Sequence, residues 1–153
     1  MKYTPWVYQI VNKRIKEARV YKKPWLILER LGLEVIPNEV YDLIHLDELI
    51  IIDNLIEEIS PEIVQLENLT RICLFYNEII SLPSEIGALQ NLTHLDLSCN
   101  RIESLPVDIL KLEKLEYLDL RFNNLPISND VLESVYKPKE IINEYFNQLQ
   151  PAE

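Results

Sequence analysis

The chain has 153 residues, of which 48% are hydrophobic and 26% charged, and its formal net charge at pH 7 is −10. This composition is typical of one folded domain and argues against a disordered or membrane-embedded chain. With only two glycines, a glycine-rich phosphate-binding loop is excluded, and the acidic charge disfavours nucleic acid as a partner because phosphates would be repelled.

The N-terminus is the basic part of the chain. Residues 1–23 hold seven lysines and arginines and one acidic residue, a charge of +6, which leaves −16 for residues 24–153. Residues 5–22 predict an amphipathic helical cap with basic residues on its outer side. We interpret that side as a solvated face, with an acidic surface or anionic lipid as the alternative partner. The apolar side of this helix comprises Val7, Ile10, Val11, Ile15 and Ala18.

The first residues, MKYTPWVYQI, lack the order of a secretory signal, and no apolar run approaches the roughly 20 residues that span a bilayer. We therefore expect a cytoplasmic protein without membrane association. The two cysteines, Cys73 and Cys99, fall on neighbouring repeats at offset positions, beyond disulfide reach. Two free thiols fit a reducing compartment.

A period of 23 residues runs through residues 23–137, in about five copies of which the last is incomplete. In each copy an LxL-like alternation predicts a short strand, and the rest returns as a helical or 3₁₀ segment. A Leu-Pro pair ends the strand side in the later copies, where the second copy has Ser60-Pro61. One copy cannot bury its apolar residues alone, so we expect the copies to stack with their strands in a parallel sheet. The fourth position of the copies reads Leu26, Leu49, Ile72, Leu95 and Leu118.

An asparagine occupies the ninth position of four copies, where it is expected to hydrogen-bond the backbone of an adjacent turn. These residues are Asn54, Asn77, Asn100 and Asn123, with Leu31 in the first copy. Residues 138–150 then predict a C-terminal helical cap over the last copy, so that residues 1–153 form a single domain. Its expected covering residues are Ile141, Ile142, Tyr145, Phe146 and Leu149.

These spacings resemble the leucine-rich repeat family, specifically its 23-residue intracellular class of bacteria and plants, with copies reading LxxLxLxxNxLxxLPxxIxxLxx. The resemblance implies an α/β solenoid that forms a short right-handed arc, with a parallel β-sheet on the concave face, 3₁₀ or α segments on the convex face and a helical cap at each end. It also implies recognition of a partner protein by the concave face. The tail resembles the end of bacterial leucine-rich repeat arrays, including those of Roco-type proteins.

Catalytic and metal sites are not indicated, and we expect neither an enzyme nor a cofactor. An acidic column, Glu39, Glu62, Glu85 and Asp108, follows the strand exits. A calcium ladder is the alternative reading, but one carboxylate per turn favours the start of a return helix and does not supply the oxygen ligands that calcium needs. His94, near Cys73 and Asp96, suggests a nucleophile and base, but an open sheet face offers no oxyanion site.

Outward-pointing strand positions carry more apolar residues than a solvated sheet needs. Apolar and aromatic residues cluster on the first three strands, and charged residues surround them, which is the composition of a protein-binding site. The alternatives are that exposed apolar residues are common, or that the N-terminal segment folds across this face. The predicted site comprises Trp25, Ile27, Ile50, Ile52, Arg71, Cys73, Phe75, Tyr76, His94, Asp96, Tyr117 and Arg121.

The sequence thus predicts a non-enzymatic module that binds another protein. One alternative is a scaffolding or regulatory arm of a multidomain signalling protein such as a Roco-type GTPase, although no GxxxxGK[ST] motif occurs in the chain. Self-association through the patch between Ile50 and Phe75 is a weaker alternative, and a monomer is the default expectation.

Overall fold

A computed structural model describes residues 4–149 and shows five short strands that recur at the sequence period. The ends of the predicted domain, residues 1–3 and 150–153, lie outside the described residues, as does the last residue of the predicted C-terminal cap. The helices and strands are α1 Pro5–Val20, β1 Trp25–Ile27, β2 Glu48–Ile50, β3 Arg71–Cys73, β4 His94–Asp96, β5 Tyr117–Asp119, α2 Asn129–Leu132 and α3 Pro138–Gln148.

The strands form one parallel sheet in the order β1-β2-β3-β4-β5. Each residue pairs with the residue 23 positions later, as Leu26 does with Leu49 and Leu49 with Ile72. Between consecutive strands the chain returns through 3₁₀ segments, at Asn38–Val40, Pro61–Gln65, Ser84–Ala88 and Val107–Lys111. The predicted solenoid, with its parallel sheet and short return segments, is confirmed.

The ninth-position asparagines join each copy to the one before it. Asn100 accepts a hydrogen bond from the Ile79 amide at 3.0 Å and donates to the carbonyls of Leu74 and Leu97, both at 3.0 Å. Asn54, Asn77 and Asn123 repeat this arrangement with small variations. Because the bonds run backward, the first copy has no preceding repeat to join, which accounts for Leu31 in its ninth position.

The residue before each of these positions adopts a left-handed backbone conformation. The φ angles are 55° at Arg30, 55° at Asp53, 59° at Tyr76, 53° at Cys99 and 59° at Phe122. This conformation costs an L-residue about 1 kcal/mol or more. The chain tolerates it because the amide of the turned residue still donates to the next copy, as Tyr76 does to the Ser98 carbonyl at 3.1 Å.

Helix α1 lies over the β1 edge of the sheet and buries Val7, Val11, Ile15 and Ala18 against the core, with Ile10 half-buried beside them. Polar contacts to backbone carbonyls help to fix its position. Arg14 donates to the Ile27 carbonyl at 2.9 Å, and the His45 ring nitrogen lies 3.1 Å from the Ala18 carbonyl. The helix therefore closes the first repeat and does not fold across the apolar residues of the sheet face, since Trp25 and Ile27 remain exposed.

At the other end, α3 buries Pro138, Ile141, Ile142 and Tyr145. The Tyr145 hydroxyl accepts a hydrogen bond from the Leu105 amide at 3.1 Å and so ties the helix to the fourth copy. The expectation that Leu149 covers the core is wrong: its side chain is exposed, because α3 ends at Gln148 and turns the next residue away from the repeats.

Removal of residues 1–22 is expected to lower the melting temperature by several degrees. The deletion exposes the β1 end of the core, but the net loss is smaller than the buried area suggests because the ordering entropy of the helix is also removed. A thermal scan followed by circular dichroism measures the change. An unchanged melting temperature would show that α1 contributes nothing to stability and would leave it a purely functional arm.

A candidate protein-binding face

The candidate site is built by the alternation of side chains along each strand. In β1 the central Leu26 is buried, whereas its neighbours Trp25 and Ile27 point the other way and are exposed. The same pattern recurs in β2, β3 and β4. As a result, none of the twelve predicted site residues lies in the core.

One part of this face is apolar. We use the name apolar patch for Trp25, Ile27, Ile50, Ile52, Phe75 and Tyr76. The Trp25 side chain is 47% exposed and Tyr76 57% exposed, while Phe75 is half-buried and packs edge-to-face on Tyr76 with ring centroids 5.3 Å apart. The patch therefore presents aromatic surface to solvent from strands held in a fixed register.

The other part of the face is polar and aromatic. The His94 and Tyr117 rings stack with centroids 5.8 Å apart, and Tyr136 meets Tyr117 edge-to-face at 5.2 Å. Together with Arg71 and Asp96 these rings line a shallow cavity. Cys73 lines the same cavity, so the structure brings five predicted site residues together with one that sequence reasoning missed, Tyr136.

Tyr136 reaches the face because the segment between α2 and α3 runs along the open edge of β5. The Leu118 amide donates to the Val135 carbonyl at 2.8 Å, which fixes the neighbouring Tyr136 beside Tyr117. Tyr136 belongs to no repeat column, so the periodicity contained no signal for it. The only indirect signal is that the last strand of an open sheet needs an edge partner.

Arg121 and Asp119 anchor this segment. Asp119 is 2% exposed, and Arg121 donates to it at 2.6 Å and reaches Glu133 at 3.3 Å. Burial would raise the pKa of the Asp119 carboxyl, but the hydrogen bonds and charge of Arg121 outweigh it and lower the pKa. Burial raises the pKa of Tyr117 to about 12, and this phenol donates to Asp119 at 3.2 Å. Asp119 is thus an ionised structural group.

The repeats identify the family to which the chain belongs. Residues 67–125 match the family model described as leucine rich repeat, and the fold reproduces the repeat strand by strand. The chain is a leucine-rich repeat protein.

Several solved structures are similar to this one. A leucine-rich repeat protein from Leptospira interrogans is 29% identical over 72% of this chain and 35% of that chain, with a TM-score of 0.55. The BIR3–SERK2 complex from Arabidopsis thaliana is 28% identical over 65% of this chain and 56% of that chain, with a TM-score of 0.60. A plant ice-binding protein is 29% identical over 65% of this chain and 34% of that chain, with a TM-score of 0.58.

The leucine-rich repeat protein thus spans between about a third and just over half of the chains that these structures contain. No curated protein matches its sequence. The class of 23-residue repeats and the Roco-like tail stay predictions from the sequence.

The geometry of this leucine-rich repeat protein does not assemble a nucleophile at Cys73. The sulfur lies 3.8 Å from an Asp96 carboxylate oxygen, and the His94 ring instead meets the Thr93 hydroxyl at 2.9 Å. Burial raises the pKa of the Cys73 thiol, and a reactive cysteine requires the opposite. Cys73 and Cys99 are both free thiols.

The part of the chain that the structure describes contains neither a metal-binding cluster nor a membrane-spanning helix. Within residues 4–149 no three His, Cys, Asp or Glu side chains come together to hold a metal ion. The acidic column lies in the first turns of the four 3₁₀ segments, one carboxylate to each. Of the helices in that same range, none combines the length and hydropathy needed to cross a bilayer.

Proposed function

We propose that this leucine-rich repeat protein binds another protein through the concave face of its sheet. The observation that carries the proposal is the apolar patch, in which aromatic and branched side chains are held at the surface beside charged residues such as Glu48, Asp53 and Arg71. A soluble protein rarely exposes such a patch without use, and protein interfaces combine an aromatic centre with a polar rim.

The sheet is suited to binding because its surface is already formed. Parallel pairing fixes the strands and the asparagine contacts fix the turns, so little conformational entropy remains to be lost on association. Five strands at about 4.8 Å spacing give a face roughly 20 Å across, which fits a helix, a loop or one small domain.

The similar structures support a binding role in general terms only. One of them is a complex between two proteins, whereas another is an ice-binding protein. The same fold therefore serves different functions, and the proposal rests on the residues of this chain.

Phe75→Glu tests the proposal. A carboxylate in the middle of the apolar patch is expected to weaken capture of the partner at least about 30-fold, the effect of losing an interface hot spot of about 2 kcal/mol. The measurement is capture of cross-linked partners from native lysate by the immobilised protein, followed by titration of the partner identified. Because Phe75 is half-buried at the surface, we expect the circular dichroism spectrum and melting temperature to change little.

Val107→Glu is the matched control. Val107 is 63% exposed and lies in the fourth 3₁₀ segment, on the opposite side of the repeats from the strands. This variant introduces the same charge and should leave capture unchanged. If Phe75→Glu captures the partner as well as the unmodified protein does, the assignment of the concave face is wrong.

A scaffolding or regulatory arm of a multidomain signalling protein, such as a Roco-type GTPase, would use the same face. That alternative and a cytoplasmic location both stay predictions. A P-loop sequence downstream in the reading frame would favour the alternative.

A further inference from the structure

The outer face of α1 forms a second surface with aromatic and basic side chains. The buried residues of α1 occupy one side of the helix, so Trp6, Gln9, Lys13, Lys16 and Val20 form a continuous stripe on the other. Trp6 is 63% exposed, and Lys13 and Lys16 are exposed. The helix thus presents an apolar end followed by two positive charges, although its own inner face already serves the core.

The concave face carries the complementary pattern. The apolar patch occupies β1 to β3, and Asp96 follows on β4. Its carboxylate accepts from Ser98 and Cys73, and from no cation within residues 4–149. Glu29 and Glu48 add two negative charges to this face. Its arginines Arg30 and Arg121 are already paired with Asp53 and Asp119, which leaves Arg71 as the unpaired arginine of the face among the described residues. Residues 24–153 together carry −16. Glu29 follows β1 and Glu48 lies in β2, on the strands of the patch itself, so Asp96 is the negative charge that follows the apolar surface along the stacking direction.

The spacings of the two patterns also agree. In α1 the rise of 1.5 Å per residue places Lys13 about 10 Å and Lys16 about 15 Å from Trp6 along the helix axis. Across the sheet, Asp96 on β4 lies about 10 Å from the β2 residues of the patch and about 14 Å from those of β1. A helix laid across the strands with Trp6 on the apolar patch would therefore bring its lysines over Asp96.

We propose that the outer face of α1 of one copy docks on the concave face of a second copy. This rests on the proposed use of the concave face for binding and names one occupant of it. The contact joins two different surfaces, so each associated pair still offers a free helix and a free face, and association continues beyond the dimer. One helix on a face about 20 Å wide is a small interface between two acidic molecules, so the association is weak and a tighter partner would displace it.

Sedimentation velocity of the purified 153-residue chain, from about 5 to 500 μM, tests the proposal in the range expected of a small interface. We expect the weight-average mass to rise with concentration above the 18.1 kDa of one chain. The double variant Lys13→Glu, Lys16→Glu should remain monomeric, and so should Phe75→Glu, with Ile27→Glu as a second face variant should the first not fold. A wild-type chain that stays monomeric throughout overturns the proposal.

Mixing the variants distinguishes this contact from other modes of association. The helix variant keeps an intact face and the face variant keeps an intact helix, so a mixture should form a one-to-one dimer and grow no further. A symmetric dimer through the apolar patch predicts instead that the helix variant still dimerises and that the mixture gains nothing, and that result overturns the proposal.

A charge-matched control is Lys114→Glu with Lys139→Glu, two exposed lysines outside α1 and the sheet. It should associate as the wild type does; loss of association in this variant would assign the effect to net charge and overturn the specific contact. Capture of a different protein at concentrations where the chain is monomeric tests the proposed function separately, so either result can fail while the other stands.

Discussion

Asn100→Ala is expected to lower the melting temperature by about 6–12 °C. Asn100 is 7% exposed; its side-chain oxygen accepts from the Ile79 amide, and its two N–H groups are shared among the carbonyls of Leu74, Leu97 and Ser98. Alanine leaves the buried amide without its acceptor and weakens three carbonyl contacts, a loss of about 3 kcal/mol. In a domain of this size each kcal/mol shifts the melting temperature by about 2–4 °C.

The carbonyls are less affected than the amide because two of them have a second asparagine donor. Asn77 also donates to the Leu74 carbonyl, and Asn123 to the Leu97 carbonyl. The asparagines thus act as a ladder in which each carbonyl is shared between successive copies. We therefore expect Asn77→Ala and Asn100→Ala in combination to cost more than the sum of the single changes, because the Leu74 carbonyl then loses both donors.

The neighbouring Asn124→Ala serves as the control for this prediction. Its side chain is exposed, and it is the backbone amide of Asn124 that donates to the Ile102 carbonyl at 2.9 Å. Thermal and urea unfolding should change by less than about 0.5 kcal/mol in this variant. Equal effects of Asn100→Ala and Asn124→Ala would contradict the ladder as a source of stability.

Gly87→Ala is expected to destabilise the fold by about 3 kcal/mol, at the upper end of the usual cost of overpacking. Gly87 lies in the third 3₁₀ segment, and a Cβ atom there would stand 2.2 Å from the backbone carbonyl oxygen of Asp108 in the fourth. Backbone cannot rotate away as a flexible side chain can, so the two segments must separate. Separation would open the core between Ile86 and Ile109, which are both buried.

Gly32→Ala provides the comparison. Gly32 has a φ of +61°, and a Cβ atom there meets nothing within 4 Å, so its cost is conformational, about 1–2 kcal/mol. Urea denaturation of both variants measures the difference. If Gly87→Ala proved no more damaging than Gly32→Ala, the close approach of the two 3₁₀ segments would not contribute as described.

The repeat was fully readable in the sequence because burial in a stacked fold depends on local spacing. Leu26, Leu49 and Leu95 lie at the centres of strands because each is flanked by outward-facing neighbours, and this alternation is visible without coordinates. The asparagine column was likewise predicted to bond an adjacent turn. Sequence reasoning therefore located the strands, the core and the residues that remain for the concave face.

The direction of those contacts could not be read from the period, since a repeat looks the same in both directions. The structure shows that each asparagine bonds the copy before it, which explains Leu31. The left-handed conformation at Tyr76 was similarly hidden, because tyrosine rarely adopts it and only the stacked neighbours make it favourable.

The 23-residue spacing of apolar residues was enough to predict the stacked parallel sheet, because one copy cannot bury these residues and stacked copies can. Which residues from outside the repeats join the face depends on tertiary packing. Tyr136 stands beside Tyr117 because β5 needs an edge partner, while Leu149 turns away because α3 has ended. Both outcomes depend on how the chain after β5 packs on the last repeat. That part of the chain does not follow the 23-residue period, so its packing could not be predicted from the repeat.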